Sequence, residues 1–225
     1  NDLQNNLIES VEHNVDQFNP QNISNTLLAL CQLGLKWNDF NNHNDLQNNL
    51  IRSVEYNVKQ FNAQDIANTL LALYQLGLKL TDFNQHLQNN LIESVEHNVD
   101  QFNHQDIANS LLALYQLDLE WTDFNNHNDL QKNLIRSVEH NVNKFNPQEI
   151  ANTLFALIEM RVSINELCIL KLLEYINLNF NYIVNDDSIS QIGQIGQVLT
   201  RILLTSYGKD LLDGGKVLAL SLIHI

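Results

Sequence analysis

The sequence is poor in the residues that interrupt helices and in those that cross-link small domains. Its 225 residues include seven glycines and only two cysteines, Cys31 and Cys168. Scarce glycine favours helices over a β fold rich in tight turns. The two cysteines lie in unrelated contexts and form no Cys-x-x-Cys pair, so we expect no disulfide framework and an intracellular, reducing compartment.

Positive charge is also scarce. Twelve lysines and arginines face 26 aspartates and glutamates, which gives a net charge of −14. This acidic balance repels nucleic-acid phosphates, and residues 86–127 contain no lysine or arginine at all. No apolar run approaches the roughly 18 residues that a membrane span needs, so we expect no membrane partner.

Signatures of catalysis are missing as well. The sequence has no Gly-x-Ser-x-Gly or His-Glu-x-x-His motif, and the IGQIG segment at Ile192 lacks the strand that precedes a phosphate-binding loop. His13, His97 and His140 recur at one helical position, where a row of side chains does not converge on a metal ion. We therefore expect no enzyme, no cofactor, no metal site and no small-molecule substrate.

The chain instead contains a ten-residue string that is repeated four times, beginning at Phe18, Phe61, Phe102 and Phe145. A self-similar period of 40-odd residues indicates a solenoid or a propeller. In each unit, a first half such as LQNNLIESVEHNV spaces its apolar residues three or four apart, and a second half such as IANSLLALYQL is apolar on most sides. Each repeat therefore predicts an amphipathic helix, here called helix A, followed by a largely buried helix B.

We predict an all-α fold, an α-solenoid of about four two-helix repeats of 41–43 residues followed by a degenerate C-terminal capping repeat. The predicted repeats are residues 1–43, 44–85, 86–127 and 128–165. Residues 166–208 form the capping repeat, with a second helix starting near Ser188, and residues 209–225 form an irregular tail that is a candidate for non-native sequence. The chain starts within a repeat and without Met, which suggests a piece of a longer protein.

The repeated string predicts a helix start. Asn19 is the expected N-cap of the first helix B, and Pro20 takes the first helical position, where a missing N–H costs nothing. Phe18 and Ile23 have the spacing of a hydrophobic staple. The third helical position is the one that can close a capping box, and it is filled by Asn22, Asp65, Asp106 and Glu149 in the four copies.

The other end of helix B differs between copies. Gly34 and Gly77 suit a left-handed cap, whereas Asp118 and Arg161 occupy the same position in the third and fourth copies. We therefore expect those two helix ends to close in a different way.

Charges alternate in sign at equivalent positions of helix A. Examples are Glu9 against Arg52 and Asp16 against Lys59. We favour a recent duplication of a two-repeat block as the origin of this alternation. Equivalent positions of stacked repeats lie roughly 8–10 Å apart, so ion pairs between repeats, each of small energetic value, are expected as a secondary effect.

One polar stripe on helix B is the candidate ligand-facing surface. Each copy places an Asn, an Ala and a Gln or Glu at spacings of four and three residues. The polar members are Asn25, Gln32, Asn68, Gln75, Asn109, Gln116, Asn152 and Glu159. Amides hydrogen-bond well to nucleic-acid bases, and Ala leaves room for close approach. The structural alternative is that Asn satisfies a neighbouring loop and Ala allows close helix packing.

The string Phe-x-Pro-Gln-x-Ile-Ala-Asn-Thr-Leu-x-Ala-Leu, sharpest at residues 145–157, resembles the octotricopeptide and heptatricopeptide repeats. It is similar also to repeats of FAST-kinase-like and RAP-domain proteins and of intracellular bacteria. The resemblance covers roughly residues 1–165 and implies an α-solenoid. Because several of those families act on organellar RNA, it also implies single-stranded RNA binding.

We therefore expect a non-enzymatic helical-repeat binding or scaffold module that presents an extended, acidic, Asn-rich surface to a macromolecular partner. A protein is the expected partner, because the net charge opposes RNA. Single-stranded RNA is the alternative. A basic stripe collecting Arg52, Lys59, Arg136 and Lys144 would favour RNA, and an acidic groove would disfavour it.

Overall fold

The computed structural model describes residues 2–127, 129–163, 167–178 and 196. Within these residues every regular element is an α-helix or a 3-10 turn, and no strand is present. The α-helices are α1 (Asp2–Asn14), α2 (Pro20–Gln32), α3 (Asn44–Asn57), α4 (Ala63–Gln75), α5 (Gln85–Asn98), α6 (His104–Gln116), α7 (Leu130–Asn141), α8 (Pro147–Glu159) and α9 (Leu167–Leu178). The all-α prediction is confirmed.

Each of the four repeats supplies one helix A and one helix B. The A helices are α1, α3, α5 and α7, and the B helices are α2, α4, α6 and α8. A 3-10 turn follows each A helix, as at Val15–Gln17, and ends just before the Phe that begins the repeated string. Helix α9 begins the capping repeat. Its predicted second helix near Ser188 and the tail at 209–225 lie outside the described residues.

The chain divides into two compact units by its contacts. Unit 1 holds the described residues up to Phe102 together with Gln116–Leu119, and unit 2 holds Asn103–Tyr115 and the described residues from Glu120 onward. In unit 1, α4 packs on α2, α3 packs on both α1 and α2, and α5 packs on α4. In unit 2, α9 packs on α7 and α8. Helical hairpins that pack on their sequence neighbours define the α-solenoid class.

The start of helix B is confirmed in all four copies. The Asn19 side chain accepts a hydrogen bond from the Asn22 backbone at 2.8 Å, and the Asn22 side chain accepts one from the Asn19 backbone at 3.3 Å. Pro20 lies at the first helical turn, as predicted. The other three B helices repeat both bonds, between N-caps Asn62, Asn103 and Asn146 and the third-position residues Asp65, Asp106 and Glu149.

The prediction for the helix B ends is wrong. Asp118 and Arg161 adopt positive φ angles of 68° and 66°, in the same left-handed region as Gly34 at 77° and Gly77 at 91°. The reason is the residue that follows. Val162, for example, is 5% exposed, and its backbone N–H bonds to the Leu157 carbonyl at 2.9 Å. Burial of that apolar residue imposes one closure on every copy, whether or not the capping residue is glycine.

The backbone after each helix B bonds to the next repeat. Trp37 donates its N–H to the Leu76 carbonyl at 2.8 Å in unit 1, and Trp121 donates to the Met160 carbonyl at 3.2 Å in unit 2. The side chain of each Trp meets a buried Phe edge-on, with ring centroids 5.8–5.9 Å apart. The loops therefore lock successive B helices at their C-terminal ends.

Buried asparagines at the ends of the A helices form a second lock. Asn57 donates through Nδ2 to the Phe18 carbonyl of the preceding repeat at 3.0 Å and to the Ser53 carbonyl at 2.8 Å. Asn98 repeats both bonds, to Phe61 at 3.0 Å and to Ser94 at 2.9 Å. The chain bends from helix A into helix B at these carbonyls. The Asn amide donates the hydrogen bond that each buried carbonyl requires.

The predicted ion pairs between Glu9 and Arg52 and between Asp16 and Lys59 do not form within the described residues. Polar contacts between A helices use another glutamate of the repeat. Glu12 lies 3.4 Å from His43 in unit 1, and Glu139 accepts from Lys171 at 2.9 Å in unit 2. The sign alternation is thus a feature of exposed surface rather than of repeat stacking.

Replacing Arg161 with Gly is expected to raise the free energy of unfolding by about 1 kcal/mol, because the left-handed conformation costs an ordinary residue roughly 1–2 kcal/mol. Urea unfolding followed by circular dichroism measures the change. Gly77→Ala is the matched control and should lower stability by a similar amount, since a Cβ at Gly77 meets nothing within 4 Å and the cost is conformational. An unstable Arg161→Gly protein would contradict this explanation of the cap.

Replacing Asn98 with Ala is expected to lower the free energy of unfolding by about 1–3 kcal/mol, because it leaves the Phe61 carbonyl without its partner. Asn14→Ala is the matched control. Asn14 occupies the equivalent position of α1 but is exposed and bonds only within its own helix, to Ser10. Equal effects of the two substitutions in urea titrations would show that the contact with the preceding repeat contributes nothing.

Candidate binding surface

The predicted polar stripe lies along the outward side of the B helices. Asn25 and Gln32 are exposed on α2, and Asn68 and Gln75 are half-buried on α4. The same positions on α6 and α8 are half-buried as well, and they carry Asn109, Gln116, Asn152 and Glu159. In each repeat the structure therefore leaves the stripe open to solvent.

The Asn side chains of the stripe carry no hydrogen bond within the described part of the chain. This holds for Asn25, Asn68, Asn109 and Asn152. The structural alternative was that these amides satisfy a neighbouring loop. Asn57 and Asn98 on the A helices fill that role instead. Each stripe Asn keeps two free donors and a free acceptor.

Three of the four alanines between the amides serve packing, whereas Ala29 on α2 is exposed. Ala72, Ala113 and Ala156 are fully buried. In unit 1, Cys31 of α2 directs its thiol at the Ala72 carbonyl of α4, at 3.3 Å. A side chain larger than Ala at this position would hold the two helices apart, so the small residue sets the close approach of the B helices.

Two further positions complete the stripe, and sequence reasoning missed them. An exposed Gln begins it at the second helical position of each helix B, as at Gln21 and Gln64. A half-exposed apolar residue lies between the Asn and the final amide: Leu28, Leu71, Leu112 and Phe155. Spacings of four, three and four residues in the sequence could have identified these positions. Helix B is apolar on most sides, however, so the sequence does not show which Leu faces solvent.

The stripe is rich in amides and nearly neutral. Of its eight predicted members only Glu159 carries a charge, and in unit 2 its carboxylate accepts from the Tyr115 hydroxyl at 3.4 Å. The basic residues Arg52, Lys59, Arg136 and Lys144 belong to the A helices and to the turns after them. They do not join the stripe, and neither do the glutamates of the A helices.

Buried carboxylates at the start of the B helices are committed to the fold. Asp65 is 5% exposed, and it accepts from the Asn62 backbone and, at 3.0 Å, from the Ser24 hydroxyl of the preceding repeat. In unit 2, His104, the first residue of α6, lies 2.9 Å from the Glu149 carboxylate. Burial raises the pKa of Asp106, the third of these acids. Each acid caps a helix, so a perturbed pKa here indicates packing rather than catalysis.

A cavity of about 680 Å³ lies in unit 1 between the loop after α2, helix α3 and the loop after α4. Two of its polar side chains are engaged in fold contacts. The Gln47 amide donates to the Trp37 carbonyl at 2.9 Å, and the Lys36 ammonium donates to the Gln75 carbonyl at 2.8 Å. These two side chains therefore hold the loops that form the wall of the cavity.

Within the described residues, no three His, Cys, Asp or Glu side chains come together in a way that could hold a metal ion. His13, His97 and His140 are exposed along the A helices. Within the same residues, no helix has the length and apolarity required to cross a membrane.

An all-α array of two-helix repeats with capped B helices defines a helical-repeat protein. The family model described as "Protein of unknown function (DUF1601)" matches residues 2–27, 34–70, 84–111 and 128–154, together just over half of the chain. The chain belongs to this family. The four matched stretches end at equivalent helix B residues, Leu27, Leu70, Leu111 and Leu154.

The family match confirms the tandem repeat. A search of the curated proteins finds no match. The likeness to the octotricopeptide group and the boundaries proposed for the individual repeats stay predictions.

The thiol of Cys31 is expected to resist alkylation in the native protein. Burial raises its pKa to about 11, so only about one thiol in a thousand is ionised at pH 8. Reaction with a chromogenic disulfide should be slow at pH 8, accelerate as the pH approaches 11 and become fast in denaturant. The buried Cys168 should also stay silent in the native state. Rapid native labelling of Cys31 at pH 8, located by peptide mapping, would contradict the packing of α2 on α4.

Proposed function

We propose that this chain is a non-enzymatic binding or scaffold module whose B-helix stripe contacts a protein partner. One observation carries the proposal: every helix B presents an Asn that the fold leaves unpartnered and open to solvent. A buried or half-buried amide normally finds a partner. Four equivalent amides without one are therefore suited to an external ligand.

A binding role fits the rest of the surface better than catalysis does. The buried acids cap helices, and two polar side chains of the cavity in unit 1 hold loops. Catalysis requires unlike groups converging on one reacting atom, whereas the stripe repeats the same few groups from helix to helix.

A protein partner is favoured over RNA by the charges of the stripe. RNA affinity draws on lysine and arginine contacts to phosphate, and the stripe contains neither. Single-stranded RNA remains the second candidate, because the repeat motif resembles the octotricopeptide group and amides can read base edges. The low cysteine content and the absence of a Cys-x-x-Cys pair support an intracellular, reducing location for the module.

Two variants test the proposal. The stripe variant carries Asn25→Ala, Asn68→Ala, Asn109→Ala and Asn152→Ala. The control variant carries four substitutions at exposed asparagines outside the stripe, Asn5→Ala, Asn6→Ala, Asn42→Ala and Asn143→Ala. Both should keep the wild-type circular dichroism spectrum, because every substituted side chain lacks a hydrogen bond in the described structure.

The measurement compares immobilised wild-type, stripe and control proteins in two assays. Immobilised wild-type and control proteins should retain proteins from a cell extract, and the stripe variant should not retain them. A pooled random RNA should show only weak retention across a salt series. Nanomolar RNA retention that falls steeply with salt would replace the protein partner with RNA. Equal protein retention by all three would remove the stripe from the binding surface.

A further inference from the structure

The geometry points to a specific occupant of the stripe: the main chain of an extended peptide in the polyproline II conformation, advancing one turn per repeat. This inference rests on the proposed function and specifies its ligand. It is argued for the two B helices of each unit separately, α2 with α4 and α6 with α8.

The first argument is hydrogen-bond complementarity. A side-chain amide presents an N–H donor beside a C=O acceptor, which is the pair that a peptide group requires. Asn25 and Asn68 offer this pair in unit 1, and Asn109 and Asn152 offer it in unit 2. Polyproline II makes no internal hydrogen bonds, so its backbone groups remain available to such amides.

The charge of the stripe also suits a peptide main chain. The stripe surrounds its Asn side chains with Gln and apolar residues, Glu159 is its one charged member, and no lysine or arginine belongs to it. A nearly neutral face complements an uncharged backbone, whereas a phosphate chain would find no counter-charge there. A ligand held by its main chain also needs no charge of its own.

The spacing of the B helices also matches one turn of a polyproline II peptide. The thiol of Cys31 lies 3.3 Å from the Ala72 carbonyl, so α2 and α4 are in close contact, and helices in contact have axes about 8–10 Å apart. Polyproline II advances about 3.1 Å per residue with three residues per turn, or about 9 Å per turn. A β-strand repeats after two residues and about 6.7 Å, which falls out of step with the helices.

The apolar members of the stripe complete the fit. Leu28 and Leu71 follow the stripe Asn by three residues in unit 1, and both are half-exposed. In unit 2, Phe155 stands edge-on to Tyr115 with ring centroids 5.4 Å apart. Such surfaces suit proline rings or aliphatic side chains at every third ligand position. Each pair of B helices would then accommodate about six residues, or two turns.

A random dodecapeptide display library selected on the wild-type protein tests the inference. Enriched sequences are expected to carry proline or aliphatic residues with a period of three. Synthetic peptides with the enriched sequences should bind the wild-type and control proteins with affinities that change little between low and high salt. The stripe variant should bind at least about tenfold more weakly, since each lost side-chain hydrogen bond costs about threefold to tenfold.

Other outcomes separate this inference from the proposed function. Enriched peptides with a helical or a two-residue period, enriched peptides that bind the stripe variant unchanged, or no enrichment at all would overturn the inference. Loss of retained folded proteins from the stripe variant would then still support a protein partner. Capture of pooled RNA in place of peptides would overturn both.

Discussion

Contact between one helix B and the next is the constraint on which the rest of each unit depends. A hairpin of some 42 residues has one apolar helix and too little chain to cover it, so neighbouring hairpins must share a core. Ala72 of α4 is buried with its carbonyl in contact with Cys31 of α2, and the loops and the acids that cap the B helices bond across the same boundary. These polar contacts set the register in which the apolar surfaces meet.

The abundant asparagines divide into classes with different surroundings. Those that begin the B helices cap them, and those that end the A helices, such as Asn57 and Asn98, satisfy a buried carbonyl of the preceding repeat. The stripe asparagines have neither task. Since the fold accounts for the first two classes, the third is the one whose repetition calls for an explanation outside the chain.

Local features of the sequence were predictable because their interactions span only a few residues. The capping boxes at Asn19 and Asn146 follow from residues three apart. Features that depend on the neighbouring repeat were not. The left-handed cap at Arg161 is imposed by the burial of Val162, and the glutamates that contact the next repeat are Glu12 and Glu139 rather than the sign-alternating positions.

The sequence by itself determined the helices, the N-terminal caps of the B helices, the four-fold repetition and the set of residues that could form a stripe, because period and N-terminal capping are encoded within one repeat. Only the tertiary structure decided which asparagines are consumed by the fold and which remain open, and that Leu28 and Leu71 join the stripe. The physical reason is that burial depends on what lies against a side chain, and for a repeat protein that surface belongs to the adjacent repeat.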